Sequence, residues 1–483
     1  MPDETLAING VDGATGRYLL PDVSLHRLVQ AVLGETFQRD ELAALRARRD
    51  QALPDFGVVY GRDPEDLSQA GWALVAEEGT PAETLEALEP LSALRRRQAT
   101  TRFRWCAGAD GYRAGETKRQ FLARFGMSSA APANPDKFPY YVLLVGGPEE
   151  IPFEFQYQLD VQYAVGRLSF DTAADYARYA EAVVAAEADE PPGSAPATTG
   201  RVSLFGTQNR ADRATQLSAT QLVGPLAAEV SPPAGGWQVD VVLGEQASKE
   251  RLLGLLCGAE APDLLFTASH GVAFPAGDPR QRPAQGALLC QDWPGPLLWS
   301  KALDEGFYVA GADIPEDAGP APQIVFAFAC FGAGTPRTDD FAQLVDAQSP
   351  PLAEAPFVAR LPQALLRHPR GGTLAFVGHV ERAWACSFVS PNAGAQREVF
   401  WSALQSLLAG WRLGHAMEFF NDKYAAQAAE LSDGLDGARN YGRAVDDLSM
   451  AGLWTETKDA RNYVVLGDPA VRLSSAARPA GAT

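Results

Sequence analysis

From about residue 140 onward, short apolar runs alternate with longer stretches whose apolar positions recur at helical spacing. The runs at 141–145, 163–168, 201–206, 238–243, 263–268, 323–329, 373–377 and 462–466 read as buried strands, because they are short, unbroken and bounded by turn-forming residues. The patterns at 171–186, 213–229, 246–257, 355–367, 394–408 and 412–430 read as helices. Alternation of this kind predicts an α/β fold, a mainly parallel sheet flanked by helices.

The chain before residue 135 is less periodic. Residues 25–49 have a helical pattern, 56–61 could form a strand, and a helix start is expected at Pro81. The run Arg95-Arg96-Arg97 reads as a solvated helix end. A boundary loop is expected at 134–139. The expected organisation is an N-terminal accessory domain over 1–135, a first α/β subdomain over 136–200, the main α/β domain over 201–475 and a disordered tail over 476–483. The stretch 189–200, rich in Pro, Gly, Ser and Thr, reads as a linker.

Two strands end in reactive side chains. The run 263–268 leads into Ser269-His270-Gly271, and 323–329 leads into Cys330-Phe331-Gly332. Open α/β sheets place their sites at the carboxyl ends of strands. An imidazole and a thiol there supply what cysteine catalysis needs, a nucleophile and a group that protonates the departing amine. Gly271 would let a backbone N–H approach a substrate, and Gly332 would allow a tight turn. Both side chains are expected to face one open cleft. The remaining histidines are expected to be structural or, for His379, at the rim of the site; the loops at 272–288 and 309–322 flank the dyad strands.

An apolar strand ending in His-Gly, followed by a second ending in Ala-Cys-x-Gly (Ala329-Cys330-Phe331-Gly332), resembles the caspase-like (clan CD) superfamily of cysteine peptidases, in particular its gingipain-like and CHAT-like branch. Phe328 stands where caspases carry Gln and most other members Asp. Further matches to gingipain-like proteins are a strand ending in Gly146, Ile151-Pro152, the strand Val165-Gly166-Arg167-Leu168 and the closing Gly467-Asp468-Pro469. The resemblance implies a His270–Cys330 dyad with the backbone N–H groups of Gly271 and Cys330 as oxyanion donors. It also implies a substrate pocket walled by Trp384, with a carboxylate at its base. Asp212 is the candidate for that carboxylate, or else a helix N-cap; Asp339 and Asp340 are the alternative acidic pair, and Gln208 is the nearest counterpart of an accessory glutamate.

Composition narrows the setting. The formal charge of −19 argues against nucleic-acid partners and anionic membrane. No basic region followed by an apolar core opens the chain, and no apolar run reaches spanning length, so neither signal peptide nor membrane segment is expected. Five scattered cysteines (106, 257, 290, 330, 386) form neither a disulfide framework nor a zinc pattern. A cytoplasmic location, no cofactor and no catalytic metal are expected. The reading is a cysteine endopeptidase acting on protein substrates after Arg or Lys, with residues 1–135 available to a regulatory partner; the CHAT resemblance adds bacterial signalling or defence. The alternatives are a catalytically silent scaffold, or a thiol hydrolase or acyltransferase acting on small molecules.

Overall fold

The computed structural model describes residues 10–19, 25–34, 39–50, 57–187, 200–230, 236–341, 350–390, 394–444 and 446–474. The expected linker, apart from Gly200, and the expected tail lie outside them. The strands that position the site are β1 (Val11–Asp12), β2 (Trp72–Ala76), β3 (Phe103–Cys106), β4 (Tyr141–Val145), β5 (Ala164–Leu168), β6 (Gly200–Gly206), β7 (Trp237–Leu243), β8 (Leu264–Ala268), β9 (Val272–Ala273), β10 (Ile324–Phe328), β11 (Ala375–His379) and β12 (Tyr463–Gly467). Ten of them form one sheet in the order β3-β2-β4-β5-β12-β11-β10-β8-β6-β7. All neighbours are parallel except β11 and β12. The fold is therefore α/β, with a large, mainly parallel sheet flanked by helices.

The sheet runs without a break across the boundary expected near residue 135, because β2 pairs with β4 from Trp72↔Tyr141 to Ala76↔Val145. Residues 72–76 and 103–106 thus build the sheet edge. The N-terminal helical pattern divides into Leu25–Val32 and Arg39–Asp50. The strand expected at 56–61 is, within the described residues, a single bridge between Val58 and Ala133. A C-terminal helix, Asp447–Arg461, was not expected from the pattern; Asp446 caps it by accepting from Ser449 N–H.

β8 and β10 are central because every residue in both is buried. Their Phe266 and Phe326 rings pack 5.3 Å apart and meet Phe400 of the helix Glu398–Leu408. Phe326 also meets Phe420 of the helix Glu418–Tyr441. Covered on both faces, these strands read as unbroken apolar runs.

Two of the quoted motifs have a structural explanation. Arg167 is fully buried, and its guanidinium donates to the carbonyls of Gly146 and Ile151 and to Gln156 Oε1. It therefore ties the Gly-ended strand to the Ile-Pro turn. Asp468 of the closing turn is also buried, and accepts from Trp72 Nε1 (3.0 Å) and Arg95 Nε (2.7 Å). Arg95 makes a further bidentate pair with Glu187, both bonds 2.7 Å. The run read as a solvated helix end thus contains a fully buried arginine, held by carboxylates from two distant parts of the chain.

Candidate active site

β8 and β10 are adjacent and in register, Ala268 opposite Phe328. His270 and Cys330 each lie two residues beyond these paired ends, so the sheet brings imidazole and thiol to the same level. Gly271 is required there. A Cβ at this position would sit 1.8 Å from the carbonyl oxygen of Cys330. The ladder bonds Val272 N–H to Ala287 and Leu289 N–H to His270 flank Gly271 on one side, and its own carbonyl turns to the other, where it accepts from Val11 N–H.

The left-handed turn after the thiol falls on Phe331 (φ 58°), and Gly332 does not adopt it. Ala211 (φ 57°), just before Asp212, and Glu381 (φ 81°), whose carbonyl accepts from Phe331 N–H at 2.6 Å, share this unusual backbone region. Non-glycine residues in that region cluster where surrounding structure holds a site under strain.

Asp212 stands beside the imidazole. Its Oδ2 lies 2.7 Å from His270 Nε2 and accepts from Thr215 Oγ1 at 2.7 Å. Its Oδ1 accepts from Tyr18 OH at 2.7 Å and from Ala214 N–H, capping the helix Arg213–Leu217. Burial alone would raise this carboxyl, but electrostatic attraction to the His270 ring and the bonds from His270, Thr215 and Tyr18 outweigh it and hold Asp212 below the usual carboxylate range. The cap expectation therefore holds. Both oxygens of the carboxylate offered for a pocket base are engaged by His270, Thr215, Tyr18 and Ala214.

Neither His270 nor Cys330 faces an open cleft; both are completely buried. The cover is residues 10–19. Gly10 N–H donates to His270 Nδ1 at 2.6 Å, and a Cβ on Gly10 would lie 2.9 Å from Cys330 Sγ. Burial pushes the Cys330 thiol up to about 12, against a weaker opposing effect from the Ala383 N–H, which donates to Sγ at 3.2 Å, and from Arg382. In this state the thiol is protonated at neutral pH.

Trp384 follows Ala383 directly but is buried, packed against Phe341 (5.0 Å between rings), with its N–H donated to Asp459 Oδ1. It shares an apolar cluster with Leu28, Val29 and Val32 of the helix Leu25–Val32. Asp339 pairs with Arg382 and Asp340 with Arg461, so the alternative acidic pair is also committed. Gln208 bonds Gln291 at the surface through its main chain. His379 is buried and bonds the Asp459 carbonyl at 3.0 Å. Cys106, Cys290 and Cys386 are buried, and burial raises each thiol.

Glu381 is a buried carboxyl beside this network, raised to about 8 by burial, then by Asp340 and Asp339, with Arg382 and Arg461 opposing. Between its unfolded and folded values the native state retains a proton that the unfolded chain has lost, so stability falls as pH rises through that window. Glu381→Gln should melt with the wild type near pH 5 and above it by about pH 8.5. Melting curves at the two pH values check this, and an equal difference at both would contradict it.

No protein-family model matches the chain, and no curated protein matches it. Among the described residues, no helix is long and apolar enough to cross a membrane. Solved structures similar to the chain include one described as a protease, 13% identical, with 84% of this chain and 80% of that one covered and a TM-score of 0.45. Another is the Arg-specific cysteine proteinase gingipain R, 13% identical, covering 84% and 78%, with a TM-score of 0.43. A third is the complex of RgpB pro- and mature domains from Porphyromonas gingivalis, 13% identical, covering 83% and 79%, with a TM-score of 0.42.

Proposed function

We infer that the chain is a cysteine endopeptidase with Cys330 as nucleophile, His270 as acid and base, and Asp212 as the residue that orients His270. The observation that carries this reading is the main-chain nitrogen of Gly10, held at His270 Nδ1 beside Cys330 Sγ. A gap that holds a peptide amide between imidazole and thiol suits peptide-bond chemistry. The thiol proton passes to His270 Nδ1, and sulfur attacks the carbonyl carbon. The N–H groups of Gly271 and Cys330 stabilise the resulting oxyanion. Collapse breaks the C–N bond as Nδ1 returns its proton to the leaving nitrogen, and water then hydrolyses the thioester. Asp212 accepts from Nε2–H throughout and so leaves Nδ1 to face the reacting bond.

Asp212, the carboxylate offered for a preference for Arg or Lys before the cut, already bonds His270, Thr215 and Tyr18, so the peptidase reading carries no such preference. A catalytically silent scaffold is the reading that complete burial of Cys330 favours. A set of thiol-reactive peptide probes, with basic, acidic or apolar residues before the reactive group, separates the two. In a chain carrying Val11→Asp, which loosens the covering residues 10–19, label should map to Cys330, ahead of the other four cysteines, and should be lost when His270→Ala is added. Label confined to other cysteines, or unaffected by that substitution, contradicts the peptidase reading.

A further inference from the structure

Residues 10–19 form a built element. Asp12 N–H donates to the Arg17 carbonyl, Gly16 N–H to the Asp12 carbonyl, and Ala14 N–H to Asp12 Oδ1, which closes a short hairpin. One arm adds a parallel strand to β9, Val11 opposite Val272 and Asp12 opposite Ala273. Gly13 N–H donates to Ala273, and Leu303 N–H to Gly13. Val11 is completely buried, in a cluster with Val272, Leu289, Trp293 and Tyr308. The other arm returns through Tyr18 to Asp212 and places Leu19 against Gly10.

The position of Gly10 gives this element its meaning. Its nitrogen, at His270 Nδ1, lies where the leaving amine of a substrate would take its proton. The chain that follows Gly10 therefore runs where the amine side of a cleaved peptide would run. The room at Gly10 is small, since a Cβ would meet Leu19 Cδ1 at 2.5 Å and Cys330 Sγ at 2.9 Å.

We propose that the groove along Val272–Ala273 is the binding surface for the amine side of a peptide substrate, and that residues 10–19 fill it and keep the enzyme latent. This rests on the peptidase reading of the site. The groove takes an extended chain as an added strand, as sheet edges take peptides, with a small residue at the gap and an aliphatic one next, in the place of Val11. Activation is displacement of the hairpin. The helix Leu25–Val32 packs in the same apolar cluster as Trp384.

The test uses the full chain and the alkylation rate of Cys330 by iodoacetamide, mapped by mass spectrometry. Val11→Asp puts a carboxylate into the apolar cluster and should expel the hairpin. Gly10→Val should do so by clash and by strain at φ 138°. Each should raise Cys330 alkylation by at least about tenfold. A synthetic peptide of residues 10–19 should slow it again in Val11→Asp. Rates within about twofold of wild type in both variants, with circular dichroism confirming the fold, would overturn the proposal, as would failure of the peptide to protect. Faster alkylation without peptide hydrolysis would leave the groove and its occupant in place and remove the peptidase reading alone.

Discussion

In the Val11→Asp background, where the site is open, Cys330→Ala is expected to remove peptide hydrolysis, by about 10^4-fold or more. The substitution deletes one buried sulfur at the end of β10. That sulfur accepts an N–H from Ala383 and lies 3.7 Å from the Ala383 carbonyl, both weak contacts. The cost to stability should be about 1 kcal/mol, visible as a small fall in Tm. Loss of activity with a retained melting transition assigns the chemistry to the thiol. Hydrolysis undiminished by the substitution would move the nucleophile elsewhere.

The contrast between that site and its cover shows which interactions can be read from sequence. β8 and β10 are legible because a buried parallel strand needs apolar residues on both faces, and that requirement is local. His270 and Cys330 follow at the same offset from paired ends, so their meeting was legible too. β2, Trp-Ala-Leu-Val-Ala, is an equally apolar run, but it stands among short, weakly periodic helices, and nothing local shows that it pairs with β4. Arg95 fails for a different reason. Three consecutive arginines look solvated until Glu187 and Asp468, far along the chain, supply the charges that permit burial.

The hairpin is the extreme case. Gly10 and His270 are 260 positions apart, and a glycine between Asn9 and Val11 carries no signal of what it will touch. Its contact with His270 and Cys330 closes what was expected to be an open cleft. Burial raises the Cys330 thiol, and the covering chain contributes to that burial by keeping out water that would solvate a thiolate. Latency and thiol protonation are then one effect, and displacement of the hairpin would reverse both.

Asp212 offers the sharper test of how the site works. Asp212→Asn keeps the size of the side chain and the ability to cap the helix Arg213–Leu217, since Asn caps about as well as Asp. It removes the charge that faces His270 Nε2. Without that charge the imidazolium formed during attack is less stabilised, and the tautomer that leaves Nδ1 facing the gap is no longer enforced. In the Val11→Asp background, kcat should fall by about 10^2–10^4-fold, while KM changes little, because Asp212 touches His270 and not the peptide. The fall should be the same for peptides with Arg, Asp or Leu before the cut. A carboxylate at the base of a basic pocket would behave otherwise, raising KM for Arg and Lys peptides and sparing the rest. Kinetics on the three peptides decide between a residue that holds the histidine and one that reads the substrate. A loss confined to the Arg peptide would return Asp212 to the pocket and require another group to orient His270.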